Sequence, residues 1–197
     1  WEIWNEPDDC YLERTSAMWK GTPQEYFELY SVTAKHLKAC FGDTINVGGY
    51  GHCGLYVFQQ DPNLTGIGHE PTRIYEFVIT FMHNFFRYQQ QTGAPIDFFS
   101  WHVYDNCHPS TKDDFLIIAE HAGYIRRILD HYGYTYAEHH LNEWNLWTDC
   151  KHRKNPRAAA KTLGFMLMMQ NTSTDVMCIY DAKIGYGSYG ALLNPDT

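Results

Sequence analysis

The hydrophobic pattern of this 197-residue chain alternates between short apolar runs and longer stretches with apolar residues every three to four positions. Short apolar runs predict buried strands, and the longer periodic stretches predict amphipathic helices. Strands are predicted at 1–4, 45–50, 96–104, 136–144 and 175–184, with a helix in each interval. We therefore expect a βαβαβαβαβ chain whose first strand is only a stub. This alternation implies a parallel sheet covered by helices.

Capping signals mark where the predicted helices begin and end. Thr22-Pro-Gln-Glu25 and Ser110-Thr-Lys-Asp113 have the form of a capping box. The other two helices open at Pro71 and at Asn155-Pro156. Three glycines stand where helices should stop, because glycine readily adopts the left-handed conformation of a helix end: Gly42, Gly93 and Gly133.

Two architectures fit this alternation, an open doubly wound sheet and a (β/α)8 TIM barrel. A dinucleotide-binding sheet needs a glycine-rich phosphate turn after its first strand. Here that turn is Asn5-Glu-Pro-Asp-Asp9, which is acidic and repels phosphate. The barrel is therefore favoured, and since a complete barrel takes about 250 residues, the predicted elements are a little over half of one. We expect residues 1–197 to form a single domain, a barrel incomplete at both ends.

Composition excludes several classes of function. The formal net charge of −8 disfavours a nucleic-acid partner, and no apolar run approaches the roughly 20 residues of a membrane-spanning helix. Aromatic residues make up 16% of the chain, which suits sugar-binding clefts but equally suits a large core. The six cysteines are scattered and form no CxxC pair, so free thiols are expected.

Two Asn-Glu pairs at predicted strand ends are the features that indicate chemistry. In parallel barrels the catalytic residues sit at the carboxyl ends of strands, and these ends carry Asn5-Glu6 and Asn142-Glu143, each pair beside a Trp. Glycoside hydrolysis needs two carboxyl groups, one to protonate the leaving oxygen and one to attack the sugar or activate water. Glu6 and Glu143 are thus expected to face each other across the barrel mouth, one protonated and one ionised.

The chain resembles clan A glycoside hydrolases and, within the clan, glycoside hydrolase family 39, which includes β-xylosidases and α-L-iduronidases. The stretches that carry the resemblance are Trp1–Asp8, Glu25–Tyr30, Val47–Gly49, Asp97–Tyr104 and Leu141–Trp144. The resemblance covers nearly the whole chain and implies a partial TIM barrel running from about strand 4 to strand 8. Because a partial barrel exposes sheet edges and apolar faces, we expect it to be stable only as a homo-oligomer or with other packing.

The resemblance also implies roles for individual residues. Glu6 would be the acid/base and Glu143 the nucleophile of a retaining β-glycosidase that acts by double displacement. Asn5 would bind the hydroxyl next to the anomeric carbon, and Trp144 would lie beside the nucleophile. The glycone site would be lined by His52, His102 and Tyr104, with the tyrosine steadying the nucleophile. The expected substrate is a xyloside or another β-glycoside, with no cofactor.

Structural explanations exist for several of these residues. The alternative for Glu6 is a helix cap, and the alternative for Glu143 is a buried ion pair. His52 and His102 have the alternative of being core histidines. Another adjacent pair, His139 and His140, alternates between strand faces and is expected to be structural.

Two further functions are carried as alternatives. A non-catalytic or truncated carbohydrate-binding barrel would keep the Trp and Asn groups but lose one Glu, and both are present. A metal-dependent hydrolase on the same barrel is disfavoured, because no HxH ends the first strand and no HExxH or paired CxxC occurs. Tyr180-Asp181-Ala182 stands where clan members often carry Trp, which leaves the sugar undetermined.

Overall fold

The computed structural model describes residues 1–9, 18–54, 73–104, 115–146 and 156–180. Four strands form one parallel sheet in the order β1-β2-β3-β4: β1 Gly48–His52, β2 Phe98–Tyr104, β3 Glu138–Asn145 and β4 Val176–Ile179. The helices alternate with them: α1 Pro23–Phe41, α2 Arg73–Thr92, α3 Phe115–His131 and α4 Pro156–Met169. Since order along the chain equals order in the sheet, each helix links one strand to its parallel neighbour. This is the repeating unit of a (β/α) barrel.

The first residues of the chain run parallel to β1, as the predicted stub requires. Glu2 forms an isolated parallel bridge with Gly48. The backbone N–H of Ile3 donates to Gly48 O at 2.9 Å, and the N–H of Glu6 donates to Gly51 O at 2.9 Å. The segment that carries Glu6 is therefore fixed to the end of β1.

The predicted helix boundaries are confirmed where the structure describes them. Thr22 Oγ1 accepts from Glu25 N at 3.2 Å while Glu25 Oε2 accepts from Thr22 N at 2.7 Å, which completes the capping box of α1. Left-handed glycines follow the first three helices, with φ of 57° at Gly42, 65° at Gly93 and 82° at Gly133. The predicted start signals at Pro71, 110–113 and Asn155 lie outside the described residues.

Four of the five predicted strands form, all of them parallel and with shifted ends, while the predicted stub forms only an isolated bridge. β1 begins at Gly48, later than predicted, because the N–H of Val47 donates to the Asp97 side chain at 2.8 Å instead of to a strand. A Cβ at Gly48 would stand 2.1 Å from the carbonyl oxygen of Phe98, so only glycine permits this approach of β1 to β2. β4 is described as Val176–Ile179, so Asp175 and Tyr180 fall outside the strand, and the predicted positions 181–184 lie outside the described residues.

Most described aromatic side chains belong to the layer between the sheet and the helices. Every residue of β2 is buried, as predicted for a parallel strand covered on both faces. The layer includes Tyr26, Tyr30, Phe81, Phe85, Phe86, Phe99, Trp101 and Trp144. His139 stacks on Trp101 with ring centroids 5.6 Å apart, and His140 stacks on Phe98 at 4.5 Å. These contacts confirm the structural role expected for the two histidines, and they show that the core accounts for much of the aromatic content.

Cys40, Cys53 and Cys178 are free thiols, as expected, and the other three cysteines lie outside the described ranges. Within those ranges no helix is both long enough and apolar enough to span a membrane.

Candidate active site

Two glutamates from distant parts of the chain meet at the carboxyl end of the sheet. His102 Nδ1 lies 2.7 Å from Oε1 of Glu6 and 3.8 Å from Oε2 of Glu143. One side-chain oxygen of Glu6, one of Glu143 and one ring nitrogen of His102 all lie within 4.8 Å of one another. The carboxylates keep 17% and 26% of their side-chain surface exposed, while His102 keeps 2%. The structure thus brings together three predicted site residues, with both carboxylates open to solvent.

A β-bulge between β2 and β3 sets the direction of Glu143. Trp101 pairs with Leu141, but the next residue, His102, pairs with Glu143, so Asn142 is an extra residue on β3. Successive strand residues normally point to opposite faces, and a bulge interrupts this alternation. Asn142 and Glu143 therefore both reach the polar interior, where Asn142 contacts Glu2 and Glu143 approaches His102. Sequence periodicity carries no signal for this bulge.

Tyr104 completes the group as predicted. Its hydroxyl donates a hydrogen bond to Oε1 of Glu143. Tyr104 lies at the end of β2, two residues beyond His102, so both side chains project from the same face of the strand. The nucleophile candidate is therefore held by a tyrosine hydroxyl on one side and approached by an imidazole on the other.

The ionisation of His102 follows from opposing effects. Burial lowers the pKa of the imidazole, but the hydrogen bond with Glu6 and the charges of Glu143 and Glu6 outweigh it. The net result is a pKa raised above 6.5. A protonated imidazole between the two carboxylates would reduce the unfavourable repulsion between their negative charges.

A second polar layer lies one step deeper, and sequence reasoning did not identify it. Ser100 Oγ donates to Glu2 Oε1, and Asn142 Nδ2 lies 3.0 and 2.8 Å from the two oxygens of the same carboxylate. Ser100 precedes His102 by two residues on β2, so it faces the same interior. The two-residue spacing of Ser100 and His102 on a predicted strand was the available signal. A carboxylate at Glu2 adds to the effects that raise the pKa of His102.

His52 is the last residue of β1, and its described contacts are with residues other than the two glutamates. The side chain is fully buried, and its Nδ1 pairs with Oδ2 of Asp8, whose carboxylate is also fully buried. The His52 ring packs near Tyr50 and Phe99, with centroids 6.0 and 6.3 Å away. With no exposed surface, His52 does not line the open face around Glu6 in this structure, contrary to the expected glycone contact.

Trp144 is buried, whereas Asn5 is exposed. Trp144 is 1% exposed and packs on Phe165 of α4 with centroids 4.8 Å apart. Because it follows Glu143 directly on β3, it points to the opposite face, so the expectation of a substrate contact is corrected to a core role. Asn5 is exposed beside Glu6, where it remains a predicted substrate contact.

Two clusters among the described residues have donor atoms close enough together for a metal ion. One is Glu6, His102 and Glu143, and the other is Asp8, His52 and Cys53. Burial raises the pKa of the Cys53 thiol, which opposes the thiolate form that binds metals. In both clusters a histidine Nδ1 pairs directly with a carboxylate.

Comparison with known proteins shows which class of barrel this is. The sequence profile of glycosyl hydrolases family 39 matches residues 1–122, a range that includes Glu6 and His102 but not Glu143. No curated protein matches the chain. The fold and the profile together define the class as the glycoside hydrolase families built on a (β/α) barrel. This chain belongs to glycosyl hydrolases family 39.

Solved structures with the same fold come from several bacteria. A glucosidase from Croceicoccus marinus superposes with a TM-score of 0.68 at 24% identity, covering 95% of this chain and 33% of its own. A family 39 β-xylosidase from Caulobacter crescentus gives 0.64 at 18% identity, with 99% and 38% covered. The family 39 enzyme from Xanthomonas axonopodis pv. citri gives 0.63 at 18% identity, with 96% and 34% covered. The chain thus matches part of a family 39 barrel and spans about a third of the length of these proteins.

Proposed function

We propose that this chain carries the catalytic centre of a retaining β-glycosidase, with Glu6 as acid/base and Glu143 as nucleophile. The observation that carries the proposal is the pair of carboxylate oxygens within 4.8 Å of each other at the sheet's carboxyl end. Retaining enzymes hold their carboxyl groups about 5–5.5 Å apart, whereas inverting enzymes leave about 6.5–9.5 Å for a water. The close approach therefore supports attack by a carboxylate rather than by water.

In the proposed reaction, Glu143 attacks the anomeric carbon while Glu6 gives its proton to the leaving oxygen. The covalent glycosyl-enzyme is then hydrolysed when Glu6 removes a proton from water, and the configuration is retained. Tyr104 holds Glu143 through its hydroxyl. His102 lies between the carboxyl groups, where its imidazole stabilises whichever of the two is ionised.

The substrate class rests on family membership. Family 39 membership supports a carbohydrate substrate, and the structural matches include two structures named as β-xylosidase from Caulobacter crescentus. We propose a β-xyloside or a related β-glycoside, bound with help from the exposed Asn5. We further propose that residues 1–197 form one domain that corresponds to about strand 4 to strand 8 of the barrel, so activity belongs to the complete protein.

The experiment is a panel of aryl β-glycosides against the complete protein, with the anomeric configuration of the first product followed by proton NMR. The proposal expects hydrolysis with retention. Glu143→Gln should lower turnover by at least roughly 10³-fold, as loss of a nucleophile does. Glu138→Gln, an exposed carboxylate at the other end of β3, is the matched control. An inverted product, or near-normal turnover of Glu143→Gln, contradicts the assignment.

A metal-dependent hydrolase is the second candidate, because Glu6, His102 and Glu143 offer three donor atoms within 4.8 Å of one another. The discriminating measurement is metal analysis of the purified complete protein by mass spectrometry, with activity assayed before and after a chelator. Stoichiometric metal and loss of activity on chelation would favour this candidate. Full activity in the chelator favours the two-glutamate mechanism.

A further inference from the structure

The backbone that carries Glu6 has an unusual conformation. Glu6 has φ of 47° and Trp4 has φ of 77°, both in the left-handed region that side chains other than glycine seldom adopt. Such residues are energetically costly and persist only where the surroundings hold them. The position of the Glu6 carboxylate therefore depends on whatever holds the segment from Trp4 to Pro7.

Two sets of contacts fix this segment to the end of β1, one on each side of Pro7. Before the proline, Glu6 N donates to Gly51 O at 2.9 Å. After it, the Asp8 carboxylate accepts from Cys53 N at 3.1 Å through Oδ1 and pairs with His52 Nδ1 through Oδ2. The ring of Pro7 limits the rotation between the two anchors.

The end of β1 is also in close contact with His102, the partner of Glu6. A Cβ at Gly51 would stand 3.2 Å from His102 Nε2, and the N–H of Gly51 donates to Ser100 Oγ at 2.7 Å. The same short segment of β1 thus contacts the imidazole that binds Glu6 and holds the backbone on which Glu6 stands. A shift of either anchor would change the Glu6–His102 distance.

We propose that Asp8, buried and paired with His52, is a positioning residue for Glu6, which it holds at the distance needed for proton transfer. This inference rests on the proposed function of Glu6 as acid/base. Asp8 has no exposed surface, so it acts without touching substrate. General acid catalysis is sensitive to such positioning, because the proton donor must lie within hydrogen-bond reach of the leaving oxygen.

The leaving group separates positioning from simple stability. An activated aryl glycoside departs with little help from an acid, whereas an alkyl glycoside needs the proton. In the complete protein, Asp8→Ala should lower kcat/KM by about 10- to 100-fold for an alkyl β-glycoside. The loss for a dinitrophenyl β-glycoside should stay below about 3-fold. Asp8→Asn, which keeps an acceptor for Cys53 N, should show the same selectivity with a smaller loss.

Asp97→Asn is the matched control. Asp97 likewise fixes β1 through its side chain, by accepting from Val47 N at 2.8 Å, but it does so before the strand, at the other end of the sheet. Losing this contact should lower thermal stability but leave unchanged the ratio of the kcat/KM values for the two substrates. An equal loss on both substrates in Asp8→Ala would overturn the proposal and leave only a structural role. If Asp8→Ala does not fold, the proposal is overturned when Asp8→Asn has the same ratio of kcat/KM values for the two substrates as wild type.

A crystal structure of the Asp8 variant provides a measurement that does not depend on activity. We expect Glu6 to leave its positive φ or to lose its 2.7 Å contact with His102. An unmoved Glu6 carboxylate would overturn the proposal. If instead the wild-type protein cleaves no glycoside, the proposed function fails, while the structure of the variant still decides whether Asp8 positions Glu6.

Discussion

Nδ1 of His102 lies 2.7 Å from Oε1 of Glu6, although 96 positions separate the two residues along the chain. The same nitrogen is 3.8 Å from Glu143, so one imidazole connects the two candidate catalytic groups. This contact makes the charge of the site depend on a histidine.

The first prediction concerns the ionisation of His102. Its pKa is raised above 6.5 because the contacts with Glu6 and Glu143 outweigh the effect of burial. A histidine whose pKa is raised by folding stabilises the fold fully at pH values below its pKa in the unfolded chain. This contribution is lost as the pH rises through its pKa in the folded protein. We therefore expect histidine NMR signals of the complete protein to show His102 titrating above 6.5. Glu6→Gln should lower that pKa, and a wild-type value at or below 6.5 would contradict the described contacts.

The second prediction concerns Tyr104. Tyr104→Phe removes the hydrogen bond donated to Glu143, and hydrogen bonds to charged groups contribute about 1.5–3 kcal/mol. If this contact positions the nucleophile, kcat/KM for an aryl β-glycoside should fall roughly 10- to 100-fold. Tyr30→Phe is the control, since it removes a hydroxyl that donates to Pro95 O, away from the site. Equal activity of Tyr104→Phe and wild type would remove Tyr104 from the mechanism.

The third prediction concerns acid stability. Burial lowers the pKa of His121 to about 3, with a smaller contribution from His52, and burial lowers the pKa of His139 to about 4. The unfolded chain binds these protons near 6.5, so stability is lost as pH falls below 6.5 toward the folded values. Each histidine contributes up to about 1.4 kcal/mol per pH unit.

Urea unfolding of wild type and His121→Gln at pH 7 and pH 5 provides the measurement. The difference at pH 7 gives the packing cost of the substitution. Between pH 7 and pH 5 the variant should lose about 2 kcal/mol less than wild type, since it lacks one titrating group. Parallel losses in the two proteins would show that the fold does not lower the pKa of His121.

The fourth prediction concerns association of the isolated chain. The outer face of α4 exposes Leu163 at 58%, Met166 at 40% and Leu167 at 54%. Contiguous apolar surface of this kind favours association. We expect light scattering after size exclusion to show oligomers, and Leu163→Glu with Leu167→Glu to reduce them. Val32→Glu is the control, because Val32 is an exposed apolar residue on a different helix, α1. A well-folded wild-type monomer would contradict the prediction.

Local pattern alone was enough to predict the order of helices and strands. The capping box at Thr22 and Glu25 and the glycine stops at Gly42, Gly93 and Gly133 depend on residues close together in sequence, and the structure confirms them. Parallel strands then place their carboxyl ends at one edge of the sheet. This rule was sufficient to predict that Glu6 and Glu143 would meet.

The sequence by itself thus determined the elements, their parallel arrangement and the two glutamates at one edge. The tertiary structure alone decided the bulge that turns Asn142 and Glu143 to the same face. It alone also decided that Trp144 points toward Phe165 of α4. It also decided the burial of Asp8 against His52. The physical reason is that periodicity and capping are local, whereas strand register and pairing of buried polar groups depend on contacts between segments far apart in sequence.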